Sequence, residues 1–130
     1  MPTGTFALST SKVMQFLDIT DQVQKAVSAS GVQDGICHVY NPHTTAGLTI
    51  NEGADPTVQS DIIAALQKIV PQIAYQHQEG NSPAHVMASL VGSSVTVFIE
   101  NGRLQLGTWQ KIFFCEFDGP RSRKVFWRLA

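Results

Sequence analysis

The chain has 130 residues, 43% apolar and 15% charged, with a formal charge of −1. That is enough for one domain, expected over residues 1–130, and its sparse charge leaves surface for partner subunits. Scattered Lys and Arg exclude the basic stripe of a nucleic-acid binder and the polybasic cluster of a lipid binder, and no stretch approaches the ~20 apolar residues of a membrane span.

Met1-Pro2-Thr3-Gly4-Thr5 lacks the basic-then-apolar start of a signal peptide. Cys37 and Cys115 belong to no CxxC pair and lie in apolar runs, so two reduced, buried thiols in a cytoplasmic protein are expected. Thr5 to Ile19 alternates imperfectly and predicts one or two strands. Thr20 is placed as the cap of a helix over residues 21–30, with Val23, Ala26 and Val27 inward and Gly31 as its stop. Gly35–Tyr40 reads as a buried strand and Leu48–Asn51 as a short one. Asp55-Pro56 is a strong helix start, a capping carboxylate followed by a proline whose missing N–H has no helical role. Val58, Ile62, Leu66 and Ile69 carry that helix to Pro71. His85 to Leu90 predicts a short helix. Val95–Ile99 and Arg103–Leu106 flank Asn101-Gly102, a type I′ hairpin turn. Ile112–Phe117 and Val125–Leu129 supply two further strands. Strands at both ends with helices between them predict an α+β domain with a mainly antiparallel sheet and two main helices.

The polar residues gather in three loop segments. In Asn41 to Asp55, His43 suits metal binding or proton transfer, Thr44 and Thr45 can donate hydroxyls to an anion, and Glu52 and Asp55 can act as base or cation ligand; for Asp55 the capping role competes. In His77 to His85, two histidines eight apart need a folded-back loop to meet, and imidazole suits zinc, iron, nickel or copper. In Gly107 to Arg121, Asp118-Gly119-Pro120 reads as a turn, and Arg121 behind it can grip a phosphate or carboxylate. His38, in an alternating strand, reads as a face residue without chemistry. Trp109 and Trp127 read as packing or interface aromatics.

Taken together, His43-Thr44-Thr45-Ala46-Gly47-Leu48, Asn51-Glu52, Asp55-Pro56, Gly80-Asn81, Ala84-His85, Leu106-Gly107-Thr108-Trp109-Gln110 and Glu116-Phe117-Asp118-Gly119-Pro120-Arg121 resemble the motifs of the YjbQ-like family, in order, from about Ser9 to Val125. Gln78-Glu79 departs from the family pattern. The resemblance implies a compact α+β homotrimer with a polar cleft near its subunit boundaries. It also implies a secondary thiamine-phosphate synthase activity, joining an aminopyrimidine diphosphate to a thiazole phosphate. Within that reading Glu52, Asn81 and Arg121 are the catalytic candidates, and Thr44, Thr45, Gln110 and Arg121 the anion-binding ones. His43, His77 and His85 are expected to share one divalent metal, zinc-like at the histidines or magnesium carried by the diphosphate. A metal-dependent hydrolase or lyase on another small anion, and an anion-binding trimer without turnover, are the alternatives.

Overall fold

The structure is a computed structural model that describes all 130 residues. In chain order the elements are β1 (Thr3–Ser9), β2 (Gln15–Asp18), α1 (Thr20–Ser30), β3 (Gly35–Tyr40), β4 (Ala46–Glu52), α2 (Pro56–Ile69), α3 (Ser82–Val91), β5 (Ser94–Glu100), β6 (Arg103–Leu104), β7 (Gln110–Glu116) and β8 (Ser122–Leu129). Every strand pair is antiparallel. One sheet has five strands in the order β1-β8-β3-β5-β6, the other three in the order β2-β7-β4. The α+β expectation therefore holds, with the antiparallel strands divided between two sheets.

Period-two alternation assigns the faces. Cys37, Val39, Val97, Ile99, Val125 and Leu129 of the larger sheet meet Ala46, Leu48, Ile112 and Phe114 of the smaller one, and Ile19, Val23 and Val27 close the same core. The opposite face of the small sheet carries Phe113, Cys115 and Phe117 against Leu66 and Val70 from the α2 segment and Ala84, Met87 and Ala88 of α3. β7 is thus covered on both faces, which is why Ile112–Phe117 reads as a run with no clean alternation. Cys37 and Cys115 belong to different cores and are both free; burial pushes the Cys37 thiol up to about 11 and that of Cys115 higher still.

The terminal signals mostly act as predicted. Asp55 Oδ1 accepts the Thr57 N–H at 2.9 Å and caps α2. Gly31, at φ 76°, ends α1. Asn101 and Gly102 turn the hairpin with φ of 52° and 74°. Thr20 is a correction: it is the first helical residue, and its Oγ1 accepts the Ile112 N–H at 2.8 Å, tying α1 to β7 instead of capping. A second correction concerns α3, a full helix that starts at Ser82, because Pro83 is favourable in a first turn.

Gly47 sets the seat of α3. A Cβ there would lie 2.9 Å from the Gly92 carbonyl oxygen and 3.0 Å from Val91 Cγ1, so the end of α3 rests on bare backbone. Gly47→Ala is expected to lower stability by about 1–3 kcal/mol through overpacking, measured by denaturant unfolding; an unchanged midpoint would mean that α3 yields freely.

Candidate anion-binding cleft

The loop between β3 and β4 is held from within. Asn41, 1% exposed, accepts the His43 N–H through Oδ1 at 3.0 Å and donates through Nδ2 to the Ala46 carbonyl at 2.7 Å. This side-chain scaffold in place of backbone pairing is an Asx-type turn. It presents His43 edge-on to Phe114, with ring centroids 6.4 Å apart. His43 Nε2 accepts the Lys124 N–H at 2.9 Å. Nε2 also lies 3.2 Å from the Lys124 carbonyl oxygen, but the backbone N–H can only donate and is nearer. In the neutral ring Nε2 is therefore assigned as acceptor and the proton to Nδ1, a hydrogen-bond donor there. Burial and then the Arg123 charge hold His43 below the usual histidine range. An NMR titration is expected to give His43 a midpoint below 6.5, with the Nδ1–H tautomer above it; a midpoint above 6.5 would contradict this environment.

Behind the loop lies an ion pair that joins the two sheets. Glu116, at the end of β7, is 0% exposed and Arg123, in β8, 7%. Arg123 donates from Nε to Glu116 Oε1 at 2.8 Å, from Nη2 to Glu116 Oε2, and from Nη2 to Thr45 Oγ1 at 2.9 Å. Glu116 also accepts the Thr10 hydroxyl at 2.8 Å and the N–H groups of Phe117 and Asp118 at 3.1 and 3.0 Å. Burial alone would push this carboxyl up, but the Arg123, Asp118 and Thr10 hydrogen bonds outweigh it and hold the group below the carboxylate range.

A second pair stands in front. Arg121 donates from Nε to the Asp118 carbonyl at 2.7 Å and from Nη2 to Asp118 Oδ2 at 2.9 Å. Asn81 Nδ2 donates to the same Oδ2 at 3.0 Å. Burial raises and these two partners lower the Asp118 carboxyl, which ends below its usual value. Asn81 Oδ1 is buried without a partner. Asn81 precedes α3, where the second residue, Pro83, has no N–H to give and the Ala84 N–H is taken by the Asn81 carbonyl at 3.0 Å.

These groups open onto one cleft of about 490 Å³ lined by the 42–45 loop, His77, Glu79, Asn81, His85, Arg121 and Arg123, with Pro42 the one hydrocarbon side chain in its wall. His77 and His85 face each other edge to plane at 5.7 Å between ring centroids, and His77 Nε2 is 3.9 Å from Glu79 Oε2. The folded-back loop thus brings the two histidines together, and His43 lines the same cleft. Within the single chain no three His, Cys, Asp or Glu side chains are grouped so that they could hold an ion.

Glu52 and Gln110 are elsewhere. They pair with each other at the far end of β4 and β7 from Thr45 and Glu116, about 20 Å away at the rise of a strand. There Glu52 Oε2 accepts the Ala54 N–H at 2.6 Å and Gln110 Oε1 the Gly107 N–H at 2.8 Å, so both shape turns in this chain. Glu116 and Arg123 were not singled out from the sequence. Their signal is a carboxylate embedded in the apolar run around β7, with an arginine seven residues on. His38 is exposed, with Nδ1 3.2 Å from Thr96 Oγ1, and takes no part. No helix is long and apolar enough to cross a membrane.

Residues 4–130 match the family model described as UPF0047 protein YjbQ-like. UPF0047 protein MJ1081 of Methanocaldococcus jannaschii is 50% identical over 125 residues, covering 95% of this chain and 91% of that protein. UPF0047 protein YugU of Bacillus subtilis is 45% identical over 127 residues, 96% of each. Among solved structures, a conserved yjbq/upf0047 family protein of Clostridium acetobutylicum is 57% identical with a TM-score of 0.94, covering 97% of this chain and 98% of that one. The hypothetical protein APE1520 of Aeropyrum pernix is 38% identical with the same TM-score of 0.94, covering 100% and 98%.

Proposed function

Because the chain belongs to the UPF0047 protein YjbQ-like family, we propose that its cleft holds a small phosphorylated substrate and that it acts as a transferase of the secondary thiamine-phosphate synthase type. The observation that carries this reading is the wall of the cleft: two arginines, Thr44 and His43 as donors, with Pro42 the one hydrocarbon side chain. Such a wall suits a departing diphosphate, whose charge grows as the C–O bond ionises and is met by donors already in place. Arg121 and Arg123 bind and orient the leaving group, Thr44 adds a hydroxyl, and neutral His43 donates from Nδ1. The test is turnover of an aminopyrimidine diphosphate with a thiazole phosphate by purified protein, with Arg121→Ala as control. Product formation that the substitution abolishes supports the reading; no product, or product indifferent to Arg121, removes the transferase role.

The facing His77 and His85 favour a second reading, a metal-dependent hydrolase or lyase on another small anion. Two imidazoles fit a zinc-like ion, and a further donor would have to come from a neighbouring subunit. Bound, the ion would supply Lewis-acid polarisation of a phosphoryl oxygen. Metal analysis of protein purified without added metal is expected to find an ion that His85→Ala removes; its persistence in that variant would exclude this pair as the site.

A homotrimer is the proposed assembly. The outer face of the larger sheet supports it, since Tyr40 and Phe126 stack there at 6.3 Å and Phe98 is 63% exposed. A hollow of about 660 Å³ on this face has Tyr40, Phe126 and Trp127 in its wall, which suits subunit packing better than catalysis. Sedimentation is expected to give three chains per particle; a stable monomer at micromolar concentration would contradict it.

A further inference from the structure

We infer that Arg123 and Arg121 form a two-armed clamp for a tetrahedral oxyanion, the phosphate end of a small molecule, each arm offering its Nη1 amino group. The inference rests on the reading of the cleft as a phosphorylated-substrate site and names the group that anchors the substrate there. Both guanidiniums are tied back in the same manner. Arg123 commits Nε and Nη2 to Glu116 and Thr45. Arg121 commits Nε and Nη2 to Asp118. Neither Nη1 has a partner in the chain, and neither is among the buried unpartnered atoms. Both residues line the cleft. Arg121 immediately precedes β8 and Arg123 is its second residue, and both side chains reach the same cleft.

This arrangement selects the shape of the anion. A planar carboxylate binds an arginine best through two parallel N–H groups on one edge of the fork. On each arginine the Nε/Nη2 edge already serves a carboxyl or carbonyl of the protein. On Arg123 the second Nη2 hydrogen goes to Thr45 Oγ1, so no parallel pair is left and only Nη1 remains. The more exposed Arg121 keeps Nη1 and one Nη2 hydrogen. The selection of shape therefore lies with Arg123. A phosphate, with oxygens in several directions, can meet both arginines and still accept from the Thr44 hydroxyl or His43 Nδ1. The two arms differ in stiffness. The Arg123 side chain is 5% exposed and locked by Glu116, while that of Arg121 is 51% exposed. Arg123 therefore loses less rotamer freedom on binding and is the principal anchor.

The test uses the full chain and inorganic phosphate, with acetate as the planar comparator, by calorimetry. In parallel, the guanidinium ¹⁵N–H resonances of the wild type are followed during the titration. Phosphate is expected to bind, and acetate to bind at least about tenfold more weakly, as the loss of a charge-assisted hydrogen bond implies. Arg123→Lys keeps a cation for Glu116 but cannot supply both the tether and the free arm; it is expected to weaken phosphate on the order of tenfold or more. The Arg123 resonances should shift with saturation. Wild-type protein that binds no phosphate overturns the cleft reading and the clamp with it. Phosphate binding with the Arg123 resonances unmoved, or with Arg123→Lys binding as tightly as wild type, overturns the clamp and leaves the reading standing. Acetate binding as tightly as phosphate overturns the selection of a tetrahedral anion. Should Arg123→Lys fail to fold, the wild-type resonances decide.

Discussion

Glu116→Ala is expected to destabilise the chain by about 3–5 kcal/mol, the usual consequence of removing one partner from a buried ion pair. For a domain of this size that lowers Tm by roughly 10 °C or more. The reason is geometric. Glu116 is fully buried and accepts from Thr10, Arg123 and two backbone N–H groups. Its loss leaves the Arg123 charge without a counterion between the sheets. Acid should reproduce part of the effect. The folded carboxyl titrates below 4.5, so its contribution is complete above the unfolded value and disappears as pH falls through the lower folded value. Wild-type stability should therefore decline below about pH 4.3, and the Glu116→Gln variant should show less of that decline. An alanine variant as stable as wild type in urea would show that the pair does not join the sheets.

Arg121→Ala should do the opposite: weaken pyrophosphate binding on the order of 10- to 100-fold, a charge-assisted hydrogen bond's worth, and leave stability within about 1 kcal/mol. The Arg121–Asp118 pair has side chains 51% and 24% exposed, so water screens it and replaces its bonds. Asp118 also keeps Asn81 as a donor when Arg121 is gone. Calorimetry and thermal unfolding on one preparation separate the two effects. Unchanged affinity, or a stability loss like that of Glu116→Ala, would invert the roles assigned to the pairs.

Much of the fold was legible because it depends on neighbours in sequence. Asp55-Pro56, Gly31 and Asn101-Gly102 each act within a few residues of their own position, and each does in space what its residue type suggests. Thr20 misled because a hydroxyl that suits a cap also suits a distant N–H, and Ile112 is 92 residues away. The cleft was legible in its loops, since His43, His77, Asn81, His85 and Arg121 all line it. Glu52 and Gln110 share the motif-rich segments, but a strand of seven residues carries Glu52 from the cleft to the other end of the small sheet. Arg123 was hidden for a different reason. Scattered arginines look alike in sequence, and only the pairing of two sheets shows which one is buried beside a carboxylate.

The measurement that bears most directly on the cleft is a chemical-shift map of the wild-type chain titrated with pyrophosphate. The expected result is saturable shifts centred on His43, Thr44, Asn81, His85, Arg121 and Arg123. Shifts centred instead on Glu52, Trp109 and Gln110, or on the Tyr40–Phe126 face, would contradict it.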